Sequence, residues 1–405
     1  MGLNCCIFGL GYIGLPTACL LVKAGYKVTG VDINHNLVEE LNNNKVSINE
    51  PGLRESLREA IDTGYFTATT EPVTSDIYLI AVPTPFKNID SKVPQPNIEN
   101  VISSAKAISK VIKKNQIILI ESTCPVGTTR KIASLIENMT NLSQKDFSIA
   151  YCPERVLPGN ILSELIDNDR VVGGISEIDS SKAKSFYKTF CKGEVHVTKA
   201  ETAELVKLTE NSYRDVNIAF ANELSIICSS LNIDVSEIIN LANHHPRVNI
   251  LNPGAGVGGH CIAVDPWFIV SQFPDEAKLI KSARLVNNYK TDWVIQKITE
   301  KCESIVSTKN EPLKVGCMGI SFKPNVNDIR ESPALKIAFA LSQIKNIKIY
   351  VCDPNIDNHE EFKIHSIEKT LENCDLFVFL VAHNEFKNID LDNLNILDFC
   401  NIKTK

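Results

Sequence analysis

The chain has 405 residues, 44% of them hydrophobic, with a formal net charge of -6 and an isoelectric point near 5.8. That length carries two or three domains of roughly 100 to 200 residues, each able to bury a core of its own. The acidic balance, without a basic stripe, argues against nucleic acid as a partner, and no apolar run reaches the roughly 20 residues of a membrane helix.

The first organised stretch is NCCIFGLGYIGLPTACLLVKAGYKVTGVDI, from Asn4 to Ile33. It begins almost at once, with no charged segment and apolar core of a secretory leader before it, so a soluble, cytoplasmic protein is expected. Residues 5 to 8 read as a buried parallel strand, Gly9, Gly11 and Gly14 form G-x-G-x-x-G, and Leu15 to Val22 read as a helix closing at Gly25. KVTGVDI reads as a second strand ending in Asp32, 18 residues past Gly14. Glycines in such a turn let the backbone approach a pyrophosphate at the helix N-terminus, while the acid accepts hydrogen bonds from ribose hydroxyls. The expected cofactor is NAD rather than NADP.

Apolar strands recur in IYLIAVPTP (77–85), QIILIESTCPVG (116–127) and SIAYCPERVLPG (148–159), each running into a polar or proline-containing loop. Ligands of open α/β sheets bind beyond the carboxyl ends of the strands, so Thr84, Thr123, Glu154 and Arg155 are expected to face one crevice. From Thr198 to Leu231 the chain has no Gly or Pro, and Thr198 and Glu201 stand in capping-box spacing. This predicts a helix roughly 50 Å long, enough to bridge domains or form a dimer seam. Lys207, Asn211 and Arg214 share one of its faces. Leu205, Leu208, Val216 and Phe220 predict partial burial, where the two cations need an anionic partner.

The segment NPGAGVGGHCIAVDPW (252–267) sets four glycines ahead of Cys261. Glycines at that density predict positive φ and close backbone approach by a ligand. The apolar run after Cys261 reads as a helix with the thiol at its first turn, where the dipole favours thiolate, and Asp265 follows one turn on. The other twelve of the thirteen cysteines show no CxxC pairing; they read as small core hydrophobes, and no metal site is expected. A second α/β unit begins near Leu313 with LKVGCMGISFKPNVNDIRESPA and continues through strands at 347–354, 376–383 and 395–399. The fold class expected is α/β, two Rossmann-like parallel-sheet domains joined by a long central helix. Its divisions are an NAD-binding sheet domain over 1–196, a central helical domain over 197–300, and a second sheet domain over 301–405.

The ordered motifs GLGYIGLP, VPTP, ESTCPVGTT, CPERVLPG, ELVKLTEN, GVGGHCIAVDP and FKPNVNDIRESPA resemble the UDP-glucose/GDP-mannose dehydrogenase family along nearly the whole chain. The segments NSYRDVNIAFANELS and HPRVNILNPGAGVGGHCIAVDPWFIV are similar to its branch acting on UDP-N-acetyl-D-mannosamine. The resemblance implies oxidation of a sugar C6 alcohol to a carboxylate, with two NAD consumed and a surface polysaccharide as destination; UDP-N-acetylglucosamine or UDP-glucose is the alternative substrate. It implies Cys261 as nucleophile through a thiohemiacetal and thioester, and Lys207 as general acid/base, assisted by Asn211 and Thr123. Glu154 and Asp265 are both candidate bases, their roles undivided. Tyr12, Ile13, Asp32, Thr84, Thr123 and Arg330 match cofactor positions. Arg155, Val156, Lys207, Asn211, Arg214, His245, Arg247, Gly258, Phe322 and Lys323 match UDP-sugar contacts, with Arg247 crossing between subunits of a homodimer that shares its active sites. Past Lys405, a tail carried by some family members is not expected. A catalytically silent NAD-binding protein would lack Cys261 or Lys207, and both are present.

Overall fold

The computed structural model describes residues 2–48, 50–87, 93–306 and 311–402. It divides into two compact units, Met1–Thr209 and Glu210–Lys405.

The first unit contains β1 (Asn4–Phe8), α1 (Gly14–Lys23), β2 (Lys27–Val31), α2 (His35–Asn42), α3 (Leu53–Asp62), β3 (Phe66–Thr69), β4 (Ile77–Ile80), the two-residue strands β5 (Phe86–Lys87) and β6 (Gln95–Pro96), α4 (Glu99–Ser109), β7 (Ile117–Ile120), α5 (Thr128–Met139), β8 (Ser148–Tyr151), α6 (Ile161–Asp167), β9 (Arg170–Gly174), α7 (Glu177–Tyr187) and β10 (Val195–Lys199). Eight strands form one sheet in the order β10-β9-β8-β7-β4-β1-β2-β3. Its central strands are apolar on both faces because both are covered. Cys5 and Ile7 of β1 point into one core with Leu15, Leu21 and Leu57, while Cys6 and Phe8 point into the other with Val101, Ile108 and Ile132. Neighbours are parallel except β8 and β9, which run antiparallel through Ala150↔Gly174 and Tyr151↔Gly173. The sequence pattern did not announce β9 and β10: RVVGG carries two glycines, and VHVTK is a largely exposed edge strand.

Helix α8 (Ala200–Leu231) starts in the first unit and ends in the second. Its expected capping box does not form. Thr198 lies in β10, the chain passes from strand directly into helix at Ala200, and Glu201 pairs with Arg130 of α5 instead.

The second unit adds α9 (Val235–Asn243), α10 (Asp265–Gln272), α11 (Lys278–Val306), β11 (Leu313–Met318), α12 (Pro333–Ser342), β12 (Ile347–Cys352), α13 (Ile367–Asn373), β13 (Leu376–Phe379) and β14 (Ile396–Asp398). The four strands form a wholly parallel sheet in the order β12-β11-β13-β14. Here the helical stripe departs from expectation. Phe220 is 58% exposed, and the buried positions of this half of α8 are mostly polar, Asn211, Ser212, Asp215, Asn222 and Ser225, with the small Ala219, Ala221 and Cys228 among them. In the first-unit half, Leu208 is buried but Leu205 is exposed.

Partners on α11 explain the burial of polar groups, which is tolerated when each finds a hydrogen bond. Arg284 reaches Asp215 at 2.6 Å, Asn222 donates to Asn287 at 2.9 Å, and Lys290 donates to Ser225 at 2.7 Å. Burial raises the Asp215 carboxyl and lowers the Arg284 guanidinium, and their mutual attraction opposes both shifts.

Candidate functional site

In the first unit the glycine turn follows β1. Gly9 has φ of 90°, and a Cβ there would lie 2.6 Å from the Ala81 carbonyl oxygen. A Cβ on Gly14 would meet the Gly9 carbonyl at 1.8 Å, so this glycine serves the contact between helix and strand. Gly11 differs, because its Cβ direction is open for 4 Å. The N-cap of α1 is Ile13, whose side chain makes no capping bond, and no acid occupies the first turn. Open space at Gly11, uncapped N–H groups and the positive end of a helix are what a pyrophosphate requires. Asp32 follows β2; one carboxylate oxygen accepts from Leu10 N at 3.0 Å and the other from Asn34 N at 3.0 Å, which aims it beside the turn. These residues fit NAD. Tyr12 is exposed and Ile13 half-buried on the same turn.

Thr84 and Thr123, both half-buried, lie on the loops after β4 and β7. The residue that ties those loops together is Ser122, which the sequence reading passed over: its hydroxyl accepts from Val82 N at 2.9 Å and donates to Val82 O at 2.8 Å. Glu154 lies past β8, and Lys207 Nζ donates to its carbonyl oxygen at 2.7 Å. The Glu154 carboxylate accepts from Arg155 N at 2.7 Å and lies 3.1 Å from the buried Arg170 guanidinium. Arg170 also faces Glu121 at 3.9 Å, and Tyr187 donates to Glu121 at 2.9 Å. Two carboxylates thus share one buried arginine. Burial pushes the Glu121 carboxyl up, Arg170 opposes this and the Glu154 charge adds to it, leaving it at about 7. Glu121 stands in the sequence only as a polar residue at the end of an apolar strand, and Arg170, at the start of the unannounced β9, carried no signal until the fold joined them. Arg155 donates through its guanidinium to Asp169 O, and Val156 joins the apolar cluster of Leu20, Ile161 and Leu165.

In the second unit Cys261 is half-buried in the turn leading to α10. The thiol was expected inside the first helical turn; α10 instead begins at Asp265, one turn later, because the Cys261 carbonyl accepts from Val264 N at 3.0 Å and Asp265 N at 2.8 Å, closing a separate turn before the helix. Asp265 is buried, and Asn211 Nδ2 donates to its carboxylate at 2.6 Å. The other cysteines confirm their core role: ten are buried, and burial pushes up the thiols of the two remaining half-buried ones, Cys374 to about 12 and Cys400 well above the usual thiol range.

Two of the glycines ahead of Cys261 let another part of the chain come close. A Cβ on Gly258 would lie 2.5 Å from Glu331 O and 2.9 Å from Phe322 Cβ, and one on Gly259, at φ 81°, 2.8 Å from the Phe322 ring. Gly259 N donates to Arg330 O at 3.0 Å, and Phe322 N to Asp328 O at 2.9 Å. Gly258, Phe322, Arg330 and the Cys261 turn are therefore one packed assembly, with Lys323 Nζ 5.6 Å from the Phe322 ring centre. Arg330 grips Asp328 through both carboxylate oxygens at 2.6 to 3.1 Å; burial raises the Asp328 carboxyl, but these bonds outweigh it and hold it below its usual range. Arg214 is exposed on α8. His245 and Arg247 lie past α9, where Arg247 N donates to His245 Nδ1 at 3.3 Å; among the described residues they bond within their own turn, not to the Cys261 loop.

Family models match the chain in three segments: the NAD binding domain of the UDP-glucose/GDP-mannose dehydrogenase family over residues 3–191, its central domain over 201–289, and its UDP binding domain over 316–402. The chain is 47% identical over 410 residues to the UDP-N-acetyl-D-mannosamine dehydrogenase of Campylobacter jejuni, covering 98% of each. It is 44% identical over 400 residues to an NDP-N-acetyl-D-galactosaminuronic acid dehydrogenase of Ralstonia solanacearum, covering 96% of this chain and 92% of that one. The structure of UDP-D-ManNAc dehydrogenase from Pyrococcus horikoshii superposes with a TM-score of 0.91 at 35% identity, covering 99% of this chain and 96% of that one. No helix among the described residues is long and apolar enough to cross a membrane.

Proposed function

Because the chain belongs to the UDP-glucose/GDP-mannose dehydrogenase family, as an NAD-dependent oxidoreductase of nucleotide sugars, we propose that it oxidises the C6 alcohol of UDP-N-acetyl-D-mannosamine to the uronate. The observation carrying the choice of sugar is 47% identity over nearly full length to an enzyme named for that substrate. NAD, when bound, accepts hydride at each of two steps. The turn of Gly9, Gly11 and Gly14 would hold its pyrophosphate and Asp32 a ribose, with Tyr12, Ile13, Thr84, Thr123 and Arg330 completing the set.

Lys207, held by the Glu154 carbonyl, is assigned the general acid/base role and stabilises oxyanions, with Asn211 and Thr123 orienting the hydroxyl or water. The Cys261 sulfur adds to the aldehyde as a thiohemiacetal; loss of the second hydride turns this into a thioester, and water cleaves it to carboxylate and free thiol. Glu154 and Asp265 are the bases available for the protons released. Arg155, Val156, Arg214, His245, Arg247, Gly258, Phe322 and Lys323 are assigned to the UDP-sugar, the cations answering its diphosphate.

The three-part division at 197 and 301 accompanies this reading, as does a cytoplasmic enzyme supplying uronate for a surface polysaccharide. So does a homodimer in which Arg247 serves the neighbouring subunit. In support of a dimer, Tyr213, Phe220 and Ile227 recur every seven residues on α8, 69%, 58% and 49% exposed, an apolar stripe suited to a second copy.

The test is to supply purified protein with NAD and, separately, UDP-N-acetylmannosamine, UDP-N-acetylglucosamine, UDP-N-acetylgalactosamine and UDP-glucose, counting NADH against sugar consumed. Two NADH per UDP-N-acetylmannosamine, with the others poor substrates, is expected. Preference for another sugar overturns the substrate, and one NADH per sugar overturns the four-electron route.

A further inference from the structure

Phe322 and Lys323 sit on the turn that leaves β11, where three strand ends converge. Ser321 follows β11, Asp353 follows β12 and His383 lies beyond β13, all three buried. His383 Nδ1 faces the Asn325 backbone N–H at 3.0 Å and the Asn355 side-chain amide at 2.9 Å. A backbone N–H can only donate, so Nδ1 is the unprotonated acceptor and the imidazole proton resides on Nε2. That nitrogen lies 3.2 Å from Asp353 Oδ2 and 3.1 Å from Ser321 Oγ. Serine and aspartate meet the same ring nitrogen, so the trio cannot relay a proton as a hydrolytic triad does.

What the cluster does hold is backbone. Asp353 Oδ2 accepts from Ile320 N at 2.8 Å and Ser321 N at 3.0 Å, Ser321 Oγ donates to Lys323 O at 3.0 Å, and Asn325 is fastened to His383. Asn325 takes φ of 60°, and its side-chain oxygen accepts from Asn384 N at 3.0 Å. The turn from Ile320 to Asn325 is thus suspended at four backbone atoms from one carboxylate, one hydroxyl and one neutral imidazole. Its Phe322 ring occupies the space left by Gly259 beside the Cys261 turn.

We propose that His383, through its Nδ1 acceptor and its Nε2–H bond to Asp353, is a positioning residue that sets the Phe322–Lys323 turn for the nucleoside diphosphate portion of the substrate. The inference rests on the reading above, in which Phe322 and Lys323 contact the UDP-sugar. Removing the imidazole strands the Asn325 N–H and lets the turn drift, while the dinucleotide turn of Gly9 to Gly14 belongs to the other unit and is untouched.

The experiment compares wild type with His383→Ala, His383→Asn and His383→Gln, measuring UDP affinity by calorimetry together with KM for UDP-sugar, KM for NAD and kcat. His383→Ala should weaken UDP and raise the UDP-sugar KM by about tenfold, with the NAD KM, set mainly by the Gly9 to Gly14 turn and Asp32, changed much less. His383→Asn keeps an acceptor near Nδ1 and should recover most of the loss; His383→Gln, which replaces only the Nε2 donor, should recover less. A folded His383→Ala with wild-type UDP affinity overturns the proposal, as does equal loss of UDP and NAD binding. If the alanine variant does not fold, glutamine binding UDP as well as or better than asparagine overturns it. Failure of wild type itself to bind UDP would sink the functional reading instead.

Discussion

Replacing Lys290 with methionine should stabilise the second unit at neutral pH although it deletes a hydrogen bond. Lys290 is 2% exposed, bonds Ser225 Oγ at 2.7 Å, and lies 4.1 Å from the Trp293 ring centre; among the described residues no carboxylate pairs with it. Burial lowers its pKa from 10.5 to about 7. A base whose folded pKa is depressed keeps its stability above the unfolded pKa and loses it as pH falls through the folded one. The gap of roughly 3.5 units, at about 1.4 kcal/mol each, makes the cost of ordering this lysine about 5 kcal/mol at or below pH 7. Methionine gives up about 1 kcal/mol of hydrogen bond and about 1–2 kcal/mol of cation–π attraction while still filling the space, so a net gain of about 2 kcal/mol is expected. Both tryptophans, Trp267 and Trp293, lie in the second unit, so their fluorescence in urea follows its unfolding. The difference between variant and wild type should be largest at pH 6 to 7 and shrink toward pH 10. A variant destabilised equally at pH 6 and pH 9 would refute the reasoning, since the ammonium would then be fully compensated.

Cys261→Ser should abolish net uronate formation while leaving NAD affinity near wild type; unchanged acid output excludes the covalent route. Glu121→Gln tests the shared arginine: a carboxyl raised to about 7 contributes stability that is intact below about pH 4.5 and lost as pH rises through about 7, so the glutamine variant should gain on wild type in Tm between pH 5 and 8. Parallel Tm curves across that range would count against the raised carboxyl. Phe220→Glu places a charge in the exposed stripe of α8 and should yield monomers in light scattering, whereas an intact dimer would move the interface elsewhere.

Local features were legible in the residues alone. Gly9, Gly11, Gly14 and Asp32 could be placed because strand, turn, helix and acid follow one another within about 30 residues, and short-range sterics dictate such a unit. The central strands were legible because two covered faces require unbroken apolar runs. Tertiary structure alone decided the rest. A helix pattern states that residues share a face, but not that the face will meet Arg284, Asn287 and Lys290, so the polar seam of α8 was read as an apolar stripe. Cys261 drew attention through its glycines, yet the room that Gly258 and Gly259 leave for Phe322 and Glu331, some 60 to 75 residues later, appears only when the chain has folded. The same holds for Arg170 between Glu121 and Glu154, and for His383 between Asp353 and Asn325. Sequence determines what a residue can donate, accept or bury; which partner completes it is set by chain closure over long separations, and that is where this protein's charge pairing and site geometry reside.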